Sequence, residues 1–338
     1  MKALVIDKPG SARVAELPRP EPRPDEVLIE VAFCGICGTD VHIFRGEYLG
    51  SYPITPGHEF SGTVAAVGAE VRNFSVGDRV AVEPNISCDT CPSCLSNRQN
   101  FCERWQAVGV TLPGGMAEYV CAPEKAVFAI GDLSFAAGSF VEPLSCVLHG
   151  VQRAAPSLAD EVLVVGAGPI GVLLLKALLA AGASRITVAD RNRGRLEFAE
   201  REGGALVTPV ASLDELSADR YDLVVDATGV PAIMGRTTQW ARPGGRILLF
   251  GVPPSGSTVS FDAFAIFRKG LALMSSYTSV RNSIQAIRLL RSGRIDVAHL
   301  VSHELPLEDF ARGVELIERG DPGVMKVLMA PKAKGGAR

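Results

Sequence analysis

The chain has 338 residues, of which 47% are hydrophobic and 21% charged, and its formal net charge is −3. At about 150 residues per domain, this length predicts two domains. The composition excludes a disordered chain and argues against an extended basic surface for nucleic acid. The N-terminal apolar run is too short for a secretory signal, and no apolar stretch is long enough to span a bilayer. We therefore expect a cytoplasmic protein with neither a membrane nor a nucleic-acid partner.

Short apolar runs bounded by proline and glycine characterise the first part of the chain, up to about Glu142. Runs of this kind between turn residues are typical of the strands of a mostly β, barrel-like domain. The predicted strands are 26–31, 62–68, 78–82 and 116–120.

The pattern changes near Pro143, where strand-like runs begin to alternate with helix-length segments. Such alternation predicts βαβ units and a parallel sheet. The predicted strands are 162–165, 185–189, 221–226 and 246–250, with helices at 170–179 and 194–202. The last part of the chain predicts two amphipathic helices, 282–291 and 307–319, then a strand at 324–329.

Four of the eight cysteines are clustered with metal-ligand spacing. They are Cys88, Cys91, Cys94 and Cys102. Four thiolates within reach of one tetrahedral ion predict a closed, structural zinc site with no position for substrate. Two alternatives stay open: an iron–sulfur cluster, since four thiolates also hold iron, and a nucleic-acid zinc ribbon, which the absence of a basic, aromatic-rich surface disfavours.

A glycine-rich turn follows the predicted strand 162–165 and opens a helix-length apolar segment. In Gly-Ala-Gly-Pro-Ile-Gly at 166–171, Gly166 permits the tight turn, Gly168 lets the backbone approach a pyrophosphate, and Gly171 allows close packing of helix on strand. Ile170 completes the predicted contact with the cofactor. The phosphates would lie at the helix N-terminus. A glycine turn without a ligand is the alternative.

Asp190 lies at the end of the next strand, where a carboxylate can accept hydrogen bonds from both hydroxyls of an adenosine ribose. A 2′-phosphate beside it would meet like charge, so the sequence favours NAD over NADP. Against this, Arg191, Arg193 and Arg195 in the same loop could neutralise a phosphate.

Two short segments of the first domain carry further ligand types, Gly-Ile-Cys-Gly-Thr-Asp-Val-His at 35–42 and Gly-His-Glu at 57–59. Taken singly, Cys37 could be a buried apolar residue and His58 a turn residue. Together with Glu142-Pro-Leu144, Asp226-Ala-Thr-Gly229, the cysteine lobe and the glycine turn, they make the chain resemble the zinc-dependent medium-chain alcohol dehydrogenases. The resemblance is closest to the polyol (sorbitol-like) and threonine dehydrogenase branches and covers essentially the whole length.

The resemblance implies a catalytic zinc held by Cys37, His58 and Glu59. Glu142 takes the place of a second cysteine ligand found in other branches and would bind the zinc directly or through its water. Which of the two carboxylates is bound at a given moment stays open. Three protein ligands leave a position for water or a substrate oxygen. With the cysteine lobe, the resemblance implies two zinc ions per chain.

It also implies a reaction, in which zinc lowers the pKa of an alcohol and a hydride passes to C4 of the nicotinamide. A proton relay would run through the Thr39 hydroxyl and the cofactor ribose to His42, which exchanges with solvent near neutral pH. A histidine satisfied within its loop is the alternative. Arg195 would approach the adenosine ribose, and Gly251 and Val252 would line the nicotinamide pocket.

The implied fold is α/β, with a GroES-like, β-rich catalytic domain and a Rossmann domain whose doubly wound parallel sheet binds the cofactor. The catalytic domain would comprise residues 1–144 and the C-terminal return at 278–338, around a Rossmann domain at 145–277. The cleft between the domains would hold zinc and nicotinamide, and the resemblance implies a homo-oligomer, a tetramer or a dimer.

The chain departs from the sorbitol dehydrogenases at substrate positions. They carry an Arg-Tyr pair where this chain has Ser276-Tyr277, and a tyrosine where it has Ile43. A pocket with Ile43, Phe44 and Tyr48 suits a shorter polyol, a cyclitol, threonine or a secondary alcohol. We expect NAD-dependent oxidation of a secondary alcohol or polyol to a ketone, with a threonine 3-dehydrogenase-like or cyclitol activity as alternative. A non-catalytic, dinucleotide-binding zinc protein is the alternative of a different class.

Overall fold

The computed structural model describes residues 1–47 and 51–333. Tyr48 and the end of the C-terminal tail, 334–338, lie outside the described residues. The chain divides into two compact units. Unit 1 comprises Met1–Ser145 and Ser279–Arg338, and unit 2 comprises Cys146–Thr278.

The first part of unit 1 is built from short strands, as its punctuated apolar runs predict. Its helices and strands are β1 Lys2–Lys8, β2 Ser11–Glu16, β3 Glu26–Gly35, α1 Gly38–Arg45, β4 Glu59–Val67, β5 Arg79–Val82, β6 Asn85–Ile86, α2 Pro92–Leu95, β7 Gln106–Ala107, β8 Tyr119–Pro123, β9 Val127–Ala129, α3 Phe135–Gly138 and α4 Val141–Ala154. The last of these, α4, begins in unit 1 and continues into unit 2.

Unit 2 alternates strands and helices. These are β10 Glu161–Val165, α5 Pro169–Ala180, β11 Arg185–Ala189, α6 Arg193–Gly203, β12 Val207–Val210, β13 Tyr221–Asp226, α7 Pro231–Trp240, β14 Ala241–Leu249, α8 Ala263–Lys269 and β15 Ala272–Ser275. All pairings in its six-stranded sheet are parallel, in the order β12-β11-β10-β13-β14-β15. Strands β11 and β12 are added on one side of β10, and the chain then crosses to the other side, where β13, β14 and β15 follow. This reversal places a binding crevice beyond the carboxyl ends of β10 and β13.

The C-terminal return completes the sheet of unit 1. It contains α9 Ser283–Arg291, β16 Val301–Leu305, α10 Phe310–Arg319 and β17 Lys326–Met329. The seven-stranded sheet has the order β16-β17-β3-β4-β5-β9, with β8 also paired to β3. Because β17 lies against the end of β3, the last strand of the chain borders the residues that follow β3.

Each unit has its own apolar core. In unit 1, strands β3 and β4 share a core with residues of α10 and β17, and in unit 2 the sheet packs around Trp240. None of the described helices is both long and apolar enough to cross a membrane.

Several elements differ from the sequence-based prediction. The 14-residue helix α4, the strands β12 and β15, and the helices α7 and α8 were not predicted. The strand expected at 116–120 is displaced to Tyr119–Pro123. The helix expected at 307–319 begins as a 3₁₀ turn and becomes α-helical at Phe310.

Candidate active site

Three metal-ligating side chains meet at one end of the β3–β4 pair. The strands are antiparallel, and Gly35 at the end of β3 lies opposite Glu59 at the start of β4. Cys37, just after β3, and His58, just before β4, are therefore neighbours. One ligand atom each from Cys37, His58 and Glu59 lies within 4.8 Å of the others. The register of two strands thus brings together the three residues to which the sequence analysis assigned a zinc ion.

Asp40 joins the two ligand segments, a role that the sequence analysis missed. Its buried carboxylate accepts the N–H of Cys37 through Oδ2 at 2.8 Å and the N–H of Gly57 through Oδ1 at 3.1 Å. An acceptor at the third position of a helix commonly reaches back to the residue before the helix. The spacing Cys37-x-x-Asp40 was the available signal.

The electrostatics of the cluster suit a cation. His58 is buried, and its Nδ1 has no hydrogen-bond partner among the described residues, since Asp40 Oδ1 is 3.6 Å away. Burial alone would lower the pKa of His58, but Asp40 and Cys37 raise it well above its usual value. A site that favours positive charge and offers sulfur, nitrogen and oxygen ligands fits a zinc ion.

Lys326 is a second residue that the sequence analysis missed. This buried lysine of β17 pairs with Glu59, its Nζ contacting Oε2. Burial lowers the pKa of Lys326, but the charges of Glu59, Cys37 and Glu142 raise it above the usual value. A Cβ on Gly35 would lie 2.6 Å from Lys326 Cε and would also collide with the Glu59 carboxylate. Only glycine leaves room for this pair.

Glu142 lies in the first turn of α4 and is 8% exposed. Its carboxylate is outside the 4.8 Å cluster found among the described residues. Its charge nevertheless contributes to the raised pKa of Lys326, so it acts on the same group as Glu59. The structure therefore separates the two carboxylates, with Glu59 in the cluster and Glu142 beside it.

Thr39 and His42 are three residues apart on α1, which places them on one face of the helix. The His42 side chain is about one third exposed, and its Nδ1 lies 2.8 Å from Glu47 Oε2. A partly exposed imidazole beside a carboxylate is suited to proton exchange with solvent.

The apolar pocket predicted from Ile43 and Phe44 needs correction. Ile43 is fully buried and packs with Ile6 and Ile54. Phe44 makes an edge-to-face contact with Phe310, with ring centroids 5.8 Å apart. Both side chains are therefore engaged in apolar packing within unit 1.

The four clustered cysteines form a second group in the loop between β6 and β7. All four are free thiols, and their sulfur atoms lie within 4.8 Å of one another: Cys88, Cys91, Cys94 and Cys102. Backbone N–H groups point at the sulfurs, that of Cys91 to Cys88 Sγ at 3.3 Å and those of Cys88 and Arg104 to Cys102 Sγ at 3.2 and 3.3 Å. Hydrogen bonds from the Thr90 backbone and the Arg104 side chain lower the pKa of Cys88 to about 5. Amide donors around four sulfurs fit a closed zinc–thiolate site.

In unit 2, the glycine-rich turn joins β10 to α5 at the point where the sheet order reverses. Gly166 has φ +104°, which favours glycine. A Cβ on Gly171 would collide with the Gly166 carbonyl oxygen, so helix and strand approach closely there. The turn thus has the backbone geometry that a pyrophosphate requires.

Asp190 and Arg195 flank this turn. Asp190 accepts the N–H of Ala167 through Oδ2 at 2.7 Å and that of Asn192 through Oδ1 at 2.8 Å. Arg195 Nη1 lies 3.9 Å from the place that a Cβ on Gly168 would occupy, and its buried Nε has no partner among the described residues. An open glycine face and an unsatisfied guanidinium nitrogen fit a dinucleotide.

Gly251 and Val252 follow β14 and contact the residues after β13. Gly251 N–H is donated to the Asp226 carbonyl at 2.9 Å, and a Cβ on Gly229 would collide with the Val252 carbonyl. Val252 is 68% exposed. Both lie at the carboxyl end of the sheet, as does Ile170 in the first turn of α5.

Comparison with known proteins agrees with this arrangement. Residues 23–132 match the family model of the alcohol dehydrogenase GroES-like domain, and residues 169–292 match that of the zinc-binding dehydrogenases. The chain is 37% identical to D-altritol 5-dehydrogenase of Agrobacterium fabrum, covering 98% of this chain and 99% of the relative. It is 35% identical to L-threonine 3-dehydrogenase of Bacillus velezensis, with coverage of 98% and 99%.

The solved structures lead to the same family. A protein of Sinorhizobium meliloti 1021, described as a zinc-binding dehydrogenase bound to NADP, superimposes with a TM-score of 0.92 at 33% identity, over 98% of this chain and 99% of that one. The predicted fold class, a GroES-like domain with a Rossmann parallel-sheet domain, is confirmed. So are the need for zinc and a nicotinamide cofactor and the prediction of an enzyme that oxidises or reduces alcohols. The chain belongs to the zinc-dependent medium-chain alcohol dehydrogenase family, in its polyol and threonine dehydrogenase branch.

Proposed function

We propose that the chain catalyses reversible hydride transfer between a secondary alcohol or polyol and NAD at the cluster of Cys37, His58 and Glu59. The observation that carries the proposal is the convergence of these three ligands, the half-buried Cys37 and the buried His58 and Glu59, which leaves a tetrahedral ion one position for a substrate oxygen. A zinc ion held there would polarise the alcohol, and the nicotinamide would take the hydride.

The protein residues have distinct tasks in this proposal. Asp40 orients both ligand segments. Lys326 neutralises Glu59 when that carboxylate is not bound to metal, and Glu142 is the second carboxylate available to the metal or its water. Thr39 and His42 carry the alcohol proton towards solvent, with Glu47 holding the imidazole.

We further propose that each chain holds two zinc ions, the second in the cysteine lobe, and that NAD is preferred over NADP. The Asp190 carboxylate supports the preference because it would repel a 2′-phosphate. The Sinorhizobium relative, at 33% identity, is bound to NADP.

For the substrate we propose a polyol. The Agrobacterium relative is named for altritol and the Bacillus relative for threonine. A threonine 3-dehydrogenase-like activity is the second candidate, supported by the 35% identity of the latter over 98% of this chain. A cyclitol is a further candidate of the same reaction class.

The test is a substrate screen combined with metal analysis. Purified enzyme with NAD should form NADH with one or more polyols in a panel that also contains cyclitols, threonine and simple secondary alcohols. Elemental analysis should give two zinc ions per chain. Cys37→Ser and His58→Ala should each abolish NADH formation while the cysteine-lobe zinc remains. Undiminished activity in both variants would show that the reaction does not use this cluster.

We also propose a homo-oligomer in the cytoplasm. Support for self-association comes from unit 2, where β15 is an edge strand and Phe264 and Phe267 of the neighbouring α8 are 68% and 81% exposed. Exposed edges and large apolar side chains of this kind are typical of association surfaces.

A further inference from the structure

Glu83 is a buried carboxylate that has no part in the site described above. It directly follows β5 and is 8% exposed. Its Oε2 accepts hydrogen bonds from Ser279 Oγ at 2.7 Å and Ser283 Oγ at 2.8 Å, and Ser145 Oγ lies 3.3 Å away. Its Oε1 accepts from Asn85 Nδ2 at 2.6 Å. Every one of these donors is uncharged.

Burying a carboxylate among neutral donors is costly unless its hydrogen bonds are well formed. Three hydroxyl groups from distant parts of the sequence converge on one oxygen atom of Glu83. Such an arrangement restricts the segments that carry the hydroxyls, because a shift of Ser279 or Ser283 would leave part of the charge unsatisfied.

The three serines occupy special places in the chain. Ser145 is the last residue of unit 1 before the chain enters unit 2, and Ser279 is the first residue after it returns. Ser283 begins α9. Glu83 therefore contacts both the residue at which the chain leaves unit 1 and the residue at which it returns.

Ser145 also connects Glu83 to the candidate active site. Its Oγ lies 2.7 Å from the carbonyl oxygen of Glu142, one turn earlier in α4, so its single hydroxyl hydrogen can be donated to either acceptor. Ser145 and Glu142 belong to the same turn of α4. Glu83, through its contact with Ser145, therefore acts on the turn that carries the Glu142 side chain.

We propose that Glu83 is a positioning residue for Glu142, which it places relative to the cluster of Cys37, His58 and Glu59 by holding Ser145, Ser279 and Ser283. This inference rests on the proposed function, since the action of Glu142 at the metal is part of that proposal. Residues that orient metal ligands from behind typically change metal affinity or activity by about 10- to 100-fold when they are substituted.

The experiment compares four variants of the full-length, metal-loaded enzyme. Glu83→Gln removes the charge at nearly constant volume, and Ser145→Ala removes the connection to the Glu142 turn while leaving two serines on Glu83. Glu142→Gln is the reference for the site. Glu124→Gln is the matched control, because Glu124 is a carboxylate of unit 1 that also accepts uncharged donors, the N–H groups of Arg72 and Asn73.

The readouts are kcat and KM for the best substrate, and the visible absorption spectrum with Co²⁺ in the Cys37–His58–Glu59 site. We expect Glu83→Gln and Ser145→Ala to lower kcat by about tenfold with a smaller change in KM. Their cobalt spectra should shift in the same direction as that of Glu142→Gln. Glu124→Gln should leave the spectrum and kcat unchanged. Ser145→Ala keeps the test decisive if Glu83→Gln does not fold.

Three results would overturn the inference. Wild-type kcat and cobalt spectra in Glu83→Gln and Ser145→Ala, with both altered in Glu142→Gln, would reject the positioning role and leave the proposed function intact. Activity lost only in proportion to folded protein, with an unchanged spectrum, would make Glu83 a purely structural residue. An unaltered Glu142→Gln variant would reject the role of Glu142 itself, and with it the premise of the inference.

Discussion

Lys326 is a buried side chain whose charge affects the candidate metal site. It brings a positive charge to a place where Cys37, Glu59 and Glu142 contribute negative charge. In a buried environment, such charges are tolerated only when they are paired. In the proposed site, Glu59 would thus have two competing partners, the lysine and a metal ion, and the lysine pair depends on the room that Gly35 provides.

The first prediction concerns this pair. Lys326→Met should lower the free energy of unfolding by about 3 kcal/mol, because it leaves the buried Glu59 carboxylate without its cation. The measurement is the free energy of unfolding of enzyme from which the metal of the Cys37–His58–Glu59 site has been removed. Lys326→Arg, which keeps the charge, is the control, and its free energy of unfolding should fall by less. A methionine variant as stable as wild type would show that the pair does not stabilise unit 1.

The second prediction concerns cofactor choice at Asp190. Its two oxygens already accept backbone N–H groups of the turn, so alanine would damage the turn as well as remove the charge. Asp190→Asn removes the charge and keeps one acceptor oxygen, so it disturbs the turn less than alanine would. We expect the ratio of kcat/KM for NADP to that for NAD to rise about tenfold, equivalent to ~1.4 kcal/mol.

Glu197→Gln is the control for this change, because Glu197 is an exposed carboxylate on α6, the helix that follows Asp190. It should leave the ratio unchanged. An asparagine variant at 190 with the wild-type preference for NAD would show that the carboxylate does not discriminate between the cofactors.

At the scale of elements, the loop between β6 and β7 is held by its cysteines rather than by an apolar core. The cysteine sulfurs pack together, with Trp105 as the partly buried neighbour. We expect a loop of this kind to derive its order from a metal ion held by the four cysteines.

The third prediction tests that loop. Cys94→Ser should reduce the zinc content from two ions per chain to one and lower the melting temperature, since structural zinc contributes directly to folding. Elemental analysis and thermal unfolding measure both effects. The complementary variant Cys37→Ser should also lose one zinc ion. Thermal unfolding of the cysteine lobe should be the same in this variant as in wild type. Two zinc ions in Cys94→Ser would rule out a four-cysteine site.

The elements that could be predicted are those with a strong local pattern. Strands β10, β11 and β13 are continuous apolar runs followed by helices, and the sequence analysis located them. Strand β12 was missed because it is short and contains Pro209, which an edge strand tolerates. Helix α4 was missed because Pro143 in its first turn was interpreted as a boundary, although proline is compatible with that position.

The same distinction applies to the site. Cys37, His58 and Glu59 lie within one short stretch whose motifs carry the resemblance to the family, so they could be predicted together. Lys326 could not, because its partner is separated from it by most of the chain and only the β17–β3 pairing brings them together. Its one signal was a single lysine within an apolar strand, which local patterns alone do not connect to a metal site.

At the scale of the whole molecule, the exposed apolar side chains of α8 bear on assembly. Phe267 is 81% exposed and lies on the helix that precedes the edge strand β15. An edge and an apolar surface together favour association with a second copy.

The fourth prediction follows from this surface. Phe267→Glu should shift the enzyme towards monomers in sedimentation velocity, because it places a charge in a surface that association would bury. Leu158→Glu is the control, since Leu158 is 82% exposed in the same unit but outside α8. Equal assembly of the Phe267→Glu variant and wild type would exclude this face as the interface.

The pairing of Lys326 with Glu59 has a consequence for biosynthesis. A ribosome makes the chain from its N-terminus, so Cys37, His58 and Glu59 are translated well before Lys326, the cation that lies beside them. Until β17 docks on β3, the nascent chain presents thiol, imidazole and carboxylate without their counter-charge. The charge balance around these ligand residues is therefore completed only when β17 docks on β3.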